Sequence, residues 1–294
     1  MAVKNSLTTK NTGSRLGLTA YLTQDAVKDQ INKVVGGKDG QRFISAIISA
    51  TTANPALQEC TNQSILSGAL LGESLKLSPS PQLGQYYLVP YNDNSKGKVA
   101  QFQLGYKGYI QLAIRSGQYK KLNVLAIKEG ELIRFDALNE EIEVKLIQDE
   151  EKREKAPTIG YYAMFEYING FKKAMYWSKA KMEAHAIKYS PGYAADKRKG
   201  TAYTFWTKDF DGMAYKTMLR QLISKWGIMS IEMSTAFDAD YAVINEDGTK
   251  NYVETESDVI DMPEVVEPQV EKTEDSDIVE VIEPTDAQTA LFGN

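Results

Sequence analysis

The side chains in this sequence best equipped for chemistry are cations and flat rings crowded into one stretch. Residues 172–226 hold Lys172, Lys173, Lys179, Lys181, Lys188, Lys197, Arg198, Lys199, Lys208, Lys216, Arg220 and Lys225 against four acids, Glu183, Asp196, Asp209 and Asp211. Between them stand Tyr176, Trp177, Tyr189, Tyr193, Tyr203, Phe205, Trp206, Phe210 and Tyr215. Ammonium and guanidinium groups neutralise phosphates, and rings stack on unpaired bases for roughly 1–3 kcal/mol each. That combination suits a single nucleic-acid strand. Each ring has a second reading, as core beneath a solvated lysine face. Lys197-Arg198-Lys199 resists it, because three adjacent like charges in a Gly/Pro loop repel one another unless an anion lies across them. Lys216 and Arg220, four apart on a helix, also carry a cost that a counter-charge would remove.

Bond-breaking chemistry is poorly supplied. A hydrolytic triad needs a base, and the one histidine, His185, lies in a helical stretch where surface exposure or packing accounts for it. One histidine and one cysteine, Cys60, cannot make a structural zinc site or an internal disulfide. No G-x-x-x-x-G-K-[ST] or G-x-G-x-x-G occurs, and Gly36-Gly37-Lys38-Asp39-Gly40 has the spacing of a helix break, so no ATP is expected. Glu143-Val144-Lys145 with Asp136 upstream has the E-x-K form of Mg²⁺-dependent nucleases, whose carboxylates hold the metal while the lysine steadies water or phosphate. Alternating charges on an exposed strand give the same string. Asn92 to Gly97 lacks the downstream Glu of a calcium loop and reads as a hairpin turn. The expectation is a non-enzyme with no catalytic residue, no bound metal and Mg²⁺ acting at most as a modulator.

The elements that must position these groups follow from hydrophobic period. Helical spacing at Ala26, Val27, Ile31 and Val34, then at Phe43, Ile44, Ile47 and Ile48, predicts two helices, and a third covers about 62–76. Period two over 85–91 and 99–104 predicts a hairpin, Tyr106 to Ser116 a helix, and 120–128, 131–136 and 141–147 further strands. A charged loop at 148–156 precedes a second hairpin, Tyr161–Ile168 and Phe171–Trp177, whose Asn169-Gly170 suits a two-residue type I′ turn. Ser178 caps a helix at 179–188, a loop runs over 189–202, and a long helix covers 208–226. Helices, then sheet, then helices is the order of an α+β domain rather than a doubly wound one.

Charge divides the chain further. The net −5 conceals a segment from Glu246 to Asn294 with 15 acids and two lysines, leaving +8 on residues 1–245, all of it equal to the surplus at 172–226. The expected organisation is a flexible arm at 1–20, one domain at 21–245 and a disordered acidic tail at 246–294 that could dock a partner. No run of eighteen apolar residues is present, so a cytoplasmic protein without a membrane contact is expected.

The string Trp206-Thr207-Lys208-Asp209-Phe210-Asp211-Gly212-Met213-Ala214-Tyr215-Lys216-Thr217-Met218-Leu219-Arg220 resembles the W-x-x-D-x-x-x-M-x-x-K-T-x-L-R signature of the RecT family of phage annealing proteins. Gln103 to Gly117 is similar to its other block, and Leu70-Leu71-Gly72-Glu73-Ser74-Leu75 with Leu77-Ser78-Pro79 fits upstream. The likeness runs over about residues 25–235, in order. It implies ATP-independent annealing of single-stranded DNA through a duplex intermediate, in rings or helical filaments, beside a partner exonuclease and a host single-strand DNA-binding protein. It also implies a β-β-β-α core. Tyr106, Lys107, Lys216 and Arg220 then fall in the groove, with Trp206 and Asp209 framing it. Adding the cations and rings read directly gives a DNA-binding set of Tyr106, Lys107, Arg115, Lys179, Lys181, Lys197, Arg198, Lys199, Tyr203, Trp206, Lys216, Arg220 and Lys225. The rival classes are the Mg²⁺-dependent nuclease and a passive single-strand binder.

Overall fold

Apolar residues at helical spacing build four N-terminal helices, α1 (Leu18–Leu22), α2 (Asp25–Val35), α3 (Gly40–Ala53) and α4 (Asn62–Ser74). The Thr61 hydroxyl starts α4 by accepting the Ser64 N–H. The chain then turns to strands β1 (Tyr86–Asp93) and β2 (Gly97–Leu104), paired from Tyr86↔Leu104 to Asp93↔Gly97. Helix α5 (Tyr106–Arg115) follows, then β3 (Tyr119–Lys128), β4 (Leu132–Asp136), β5 (Glu141–Val144), α6 (Glu150–Lys155), β6 (Thr158–Tyr167) and β7 (Lys172–Ser178). The C-terminal part consists of α7 (Lys179–Tyr189), α8 (Pro191–Lys199), α9 (Phe205–Lys208), α10 (Phe210–Trp226), α11 (Ile231–Ala239), β8 (Ala242–Ile244) and β9 (Lys250–Tyr252). This computed structural model describes residues 16–37, 39–93 and 96–252. Most of the expected arm and of the acidic tail lies outside them.

The protein is α+β. Among the described residues its antiparallel strands divide over three sheets, β1-β2-β8-β9, β3-β6-β7 and β4-β5. Two cores result. The first joins α2, α3 and α4 to β1, β2, α5 and α11 through Ile31, Ile47, Leu66, Tyr86, Phe102, Tyr109 and Met233. The second lies between the β3-β6-β7 sheet and the helices packed on it, through Tyr161, Phe165, Trp177, Met182, Tyr193 and Trp206. Helix α10 serves both. Its Leu219 and Ile223 enter the first core, while Ala214, Met218 and Leu222, spaced by four, enter the second. The sheet β3-β6-β7 with α10 across it is the β-β-β-α arrangement.

Several expectations need correction. The 148–156 loop contains α6, started by Asp149, whose carboxylate accepts the Lys152 N–H at 3.2 Å. The 189–202 loop contains α8, begun by the Ser190 side chain with Pro191 in its first turn and stopped by Gly200 at φ 66°. The β6–β7 connection has four residues, Ile168, Asn169, Gly170 and Phe171; only Gly170 among them has positive φ, at 88°, so this is not type I′. Asn169 makes the difference by turning its Oδ1 to the Phe171 N–H at 3.0 Å. Helix α10 starts later than the pattern predicts, after its cap at Asp209. Past it, α11, β8 and β9 have no counterpart in the sequence pattern, and β9 lies beyond Glu246, in the stretch expected to be tail. None of the described helices is long and apolar enough to cross a membrane.

Candidate nucleic-acid interface

Helices α7 and α8 pack side by side at the end of β7 and carry six exposed cations, Lys179, Lys181, Lys188, Lys197, Arg198 and Lys199. Ser178 caps α7 by accepting the Lys181 N–H. From there Lys179, Lys181 and Lys188 point outward, with the Lys181 ammonium 4.5 Å above the Trp177 ring. Lys197, Arg198 and Lys199 form the last turn of α8, all exposed. A helix C-terminus favours cations, so the triplet is partly relieved without an external anion, contrary to the expectation for a loop. Lys197 is further offset by Glu183 at 2.7 Å. Each shifts the other: the lysine holds the Glu183 carboxyl below its usual range, and the carboxylate raises the Lys197 ammonium.

Asp196, 3% exposed, organises the segment between α8 and α9. Its carboxylate accepts from Thr201 Oγ1 at 2.6 Å, Thr207 Oγ1 at 2.8 Å, Thr204 Oγ1 at 2.9 Å, and the N–H groups of Thr204 and Tyr203 at 2.8 and 3.0 Å. The segment is thereby folded back so that Tyr203 stands 79% exposed and Phe205 37% exposed next to the cationic turn. These bonds, Thr201's foremost, hold the Asp196 carboxyl far below the ordinary range. A depressed carboxyl stabilises fully above the unfolded value near 3.9 and loses that contribution as pH falls toward the folded value. Asp196→Asn is therefore expected to lower stability at neutral pH and to weaken its fall between about pH 4 and 2. Thermal melts across that range check it; parallel acid limbs for wild type and variant would remove Asp196 from this role.

A narrow cleft runs between the two sequence blocks. Tyr87, Gln103, Gly105 and Tyr106 line one side, and Phe205, Asp209, Gly212 and Met213 the other. Gly105 and Gly108 bring α5 against the backbone, since added Cβ atoms would stand 2.2 Å from Gly84 O and 2.1 Å from Gln85 O. Asp209 caps α10 through the Gly212 N–H at 2.9 Å. The rings of Tyr87 and Phe205 lie 5.6 Å apart, Tyr106 meets Tyr215 edge-on at 5.6 Å, and the exposed Lys107 reaches 6.0 Å from the Tyr106 ring. Tyr87 is absent from the sequence-derived set. Its signal is strand alternation: Tyr86 is fully buried, so its neighbour faces out.

Other residues of the expected DNA-binding set are engaged by the fold. Lys216, 4% exposed, bonds Asp240 Oδ1 at 3.0 Å and lies 3.8 Å over the Tyr241 ring. Arg220 Nη1 donates to Asp240 Oδ2 at 3.1 Å and to Tyr109 OH at 3.2 Å. Burial opposes the charge of Arg220, yet Tyr109 and Asp240 more than offset it and raise its pKa, while Tyr109 itself is raised by burial and by Asp240. Asp240 supplies a counter-charge for both cations, and Lys216 also lines the cleft. Trp206 is core, edge-on to Phe210 at 5.2 Å. Arg115 donates to the carbonyls of Leu75 at 2.8 Å and Lys76 at 3.4 Å, closing the end of α4. Lys225 is exposed, 5.5 Å from the Trp226 ring. Of the rings with two readings, Trp177, Tyr193 and Trp206 are core, and Tyr203 is surface. His185 packs between Trp177 at 5.2 Å and Tyr189 at 4.6 Å.

The E-x-K residues occupy the β4–β5 hairpin. Asp136 accepts the N–H groups of Leu138 and Asn139 and the Asn139 amide, which closes the turn, and Arg134 lies opposite Glu143. Among the described residues, no three His, Cys, Asp or Glu gather closely enough to hold a metal ion.

Comparison with known proteins places these features in a family. Residues 41–259 match the model described as "RecT family". An uncharacterised protein of Bacillus subtilis, YqaK, is 40% identical over 250 residues, 85% of this chain and 78% of the relative. Protein RecT of Escherichia coli is 28% identical over 243 residues, 81% of this chain and 82% of its own.

Proposed function

We propose that this chain, which belongs to the RecT family, holds single-stranded DNA on the exposed cations of α7 and α8 and the neighbouring cleft, and anneals it to a complementary strand without ATP. Family membership supports DNA binding and single-strand annealing in recombination. The observation that carries the assignment to this face is the grouping of Lys179, Lys181, Lys188, Arg198 and Lys199 beside the exposed ring of Tyr203. Phosphates neutralise the cations while base edges stay accessible, so pairing itself supplies the specificity. No residue breaks a bond in this reading. The protein acts as a homo-oligomer, ring or helical filament, in the cytoplasm of a bacterial host, after an exonuclease has exposed the strand and alongside the host single-strand DNA-binding protein. Mg²⁺ acts by screening phosphates.

The test mixes two labelled complementary oligonucleotides with the protein, with and without Mg²⁺ and in the absence of ATP. Faster duplex formation with intact strands is expected. Slower pairing supports passive binding instead, and strand scission supports the nuclease.

A further inference from the structure

Away from α7 and α8, at the opposite end of the β6–β7 hairpin, three lysines converge on one carboxylate. Glu166 is 4% exposed, yet Lys120 bonds it at 2.7 Å, with Lys172 at 3.6 Å and Lys121 at 3.9 Å. Strand register makes the grouping: Lys121, Glu166 and Lys172 are direct cross-strand partners on β3, β6 and β7. A shift of register between Tyr119 and Lys121 inserts Lys120 as an extra residue, which lets two consecutive side chains reach the same carboxylate. Lys120 holds that carboxyl below its usual range.

One lysine satisfies one carboxylate. The ammoniums of Lys121 and Lys172 are beyond hydrogen-bond range, and each side chain is 65% exposed, so the cluster keeps a surplus of two positive charges directed at solvent. Lys172 shares its face of β7 with Ala174, Tyr176 and Ser178, and the strand ends where Lys179 begins α7. Six residue steps separate Lys172 from Ser178, about 20 Å at the usual rise. That face, with the half-buried Tyr162 and Tyr176 and with Phe135 of β4 5.0 Å from the Tyr176 ring, is turned away from α7, which packs on the Tyr161, Phe165 and Trp177 side of the sheet.

We propose that Lys120, Lys121 and Lys172, organised by the buried Glu166, form a second phosphate-binding site for the DNA strand. The proposal rests on the DNA-binding reading above. It gives the strand two anchoring points per subunit, at opposite ends of the β6–β7 hairpin.

The test uses the full chain and a fluorescent oligothymidine, titrated over a series of salt concentrations. Lys121→Gln/Lys172→Gln leaves the Lys120–Glu166 bond in place, so the fold is retained. The slope of log K against log salt should fall by about 1.4, which is about 0.7 for each single-strand phosphate no longer neutralised. Glu166→Gln, which removes the compensating charge, should tighten binding. A double variant with unchanged slope, in a protein whose wild type binds and anneals, overturns the site alone. A wild type that does not bind single strands overturns this site and the proposed function together.

Discussion

Replacing Asp240 with Ala is expected to cost about 3–5 kcal/mol, the usual penalty for leaving buried charge without its partner. Asp240 is 2% exposed and accepts four bonds: Lys216 at 3.0 Å, Arg220 at 3.1 Å, Tyr109 OH at 2.8 Å and the Leu104 N–H at 2.8 Å. These donors come from α10, α5 and β2, so one carboxylate ties three elements of the first core. At roughly 2–4 °C per kcal/mol for a chain of this size, the melting temperature should fall by about 6–20 °C. Lys216→Met separates a structural role from a groove role. Asp240 keeps its bonds to Arg220 and Tyr109 in that variant, so the loss of stability should be smaller. The salt slope of DNA binding should not change. A slope reduced by about 0.7 with an unaltered melting temperature would return Lys216 to the phosphate-binding set.

How this network escapes the sequence shows where local reasoning ends. The spacing of Lys216 and Arg220 demands an anion, but a phosphate and a distant aspartate meet that demand equally well on paper. Asp240 stands twenty residues beyond Arg220 in a segment without strong period. Only the return of β8 to pair with β2, through a single Phe102↔Ala242 register pair, brings it under α10. A three-residue strand with a nonlocal partner leaves almost no pattern to read. Helix α8 is different, because its signals are local: Ser190 and Pro191 begin it and Gly200 ends it, but the same residues also punctuate loops. Helices α2, α3 and α4, both hairpins and α5 are legible because each buries a stripe of its own sequence; α1 begins within the stretch expected to be an arm. Whether Trp206 or Tyr203 faces solvent depends on what packs over it. In this chain that is decided by Asp196 and by α10, not by the aromatic spacing.

The exposed cations that remain after this sorting carry the largest expected effect on DNA. Lys179, Lys181, Arg198 and Lys199 each stand on a helix surface, so changing all four to Gln should move stability little, within about 0.5 kcal/mol per site. Binding is another matter. Removing four phosphate-neutralising charges at about 0.7 each lowers the salt slope by nearly 3, which at 0.1 M salt is a loss of several hundredfold if their contribution vanishes near 1 M. Annealing rate should fall with affinity, and the loss should shrink as salt rises. Lys197 is left out deliberately. Its charge is already shared with Glu183, so Lys197→Gln should cost less than Arg198→Gln, and Glu183→Gln should strengthen binding by returning that charge to the surface. A quadruple variant with wild-type slope would exclude this face. A Lys197 variant as weak as the Arg198 variant would mean instead that DNA displaces Glu183 when it binds.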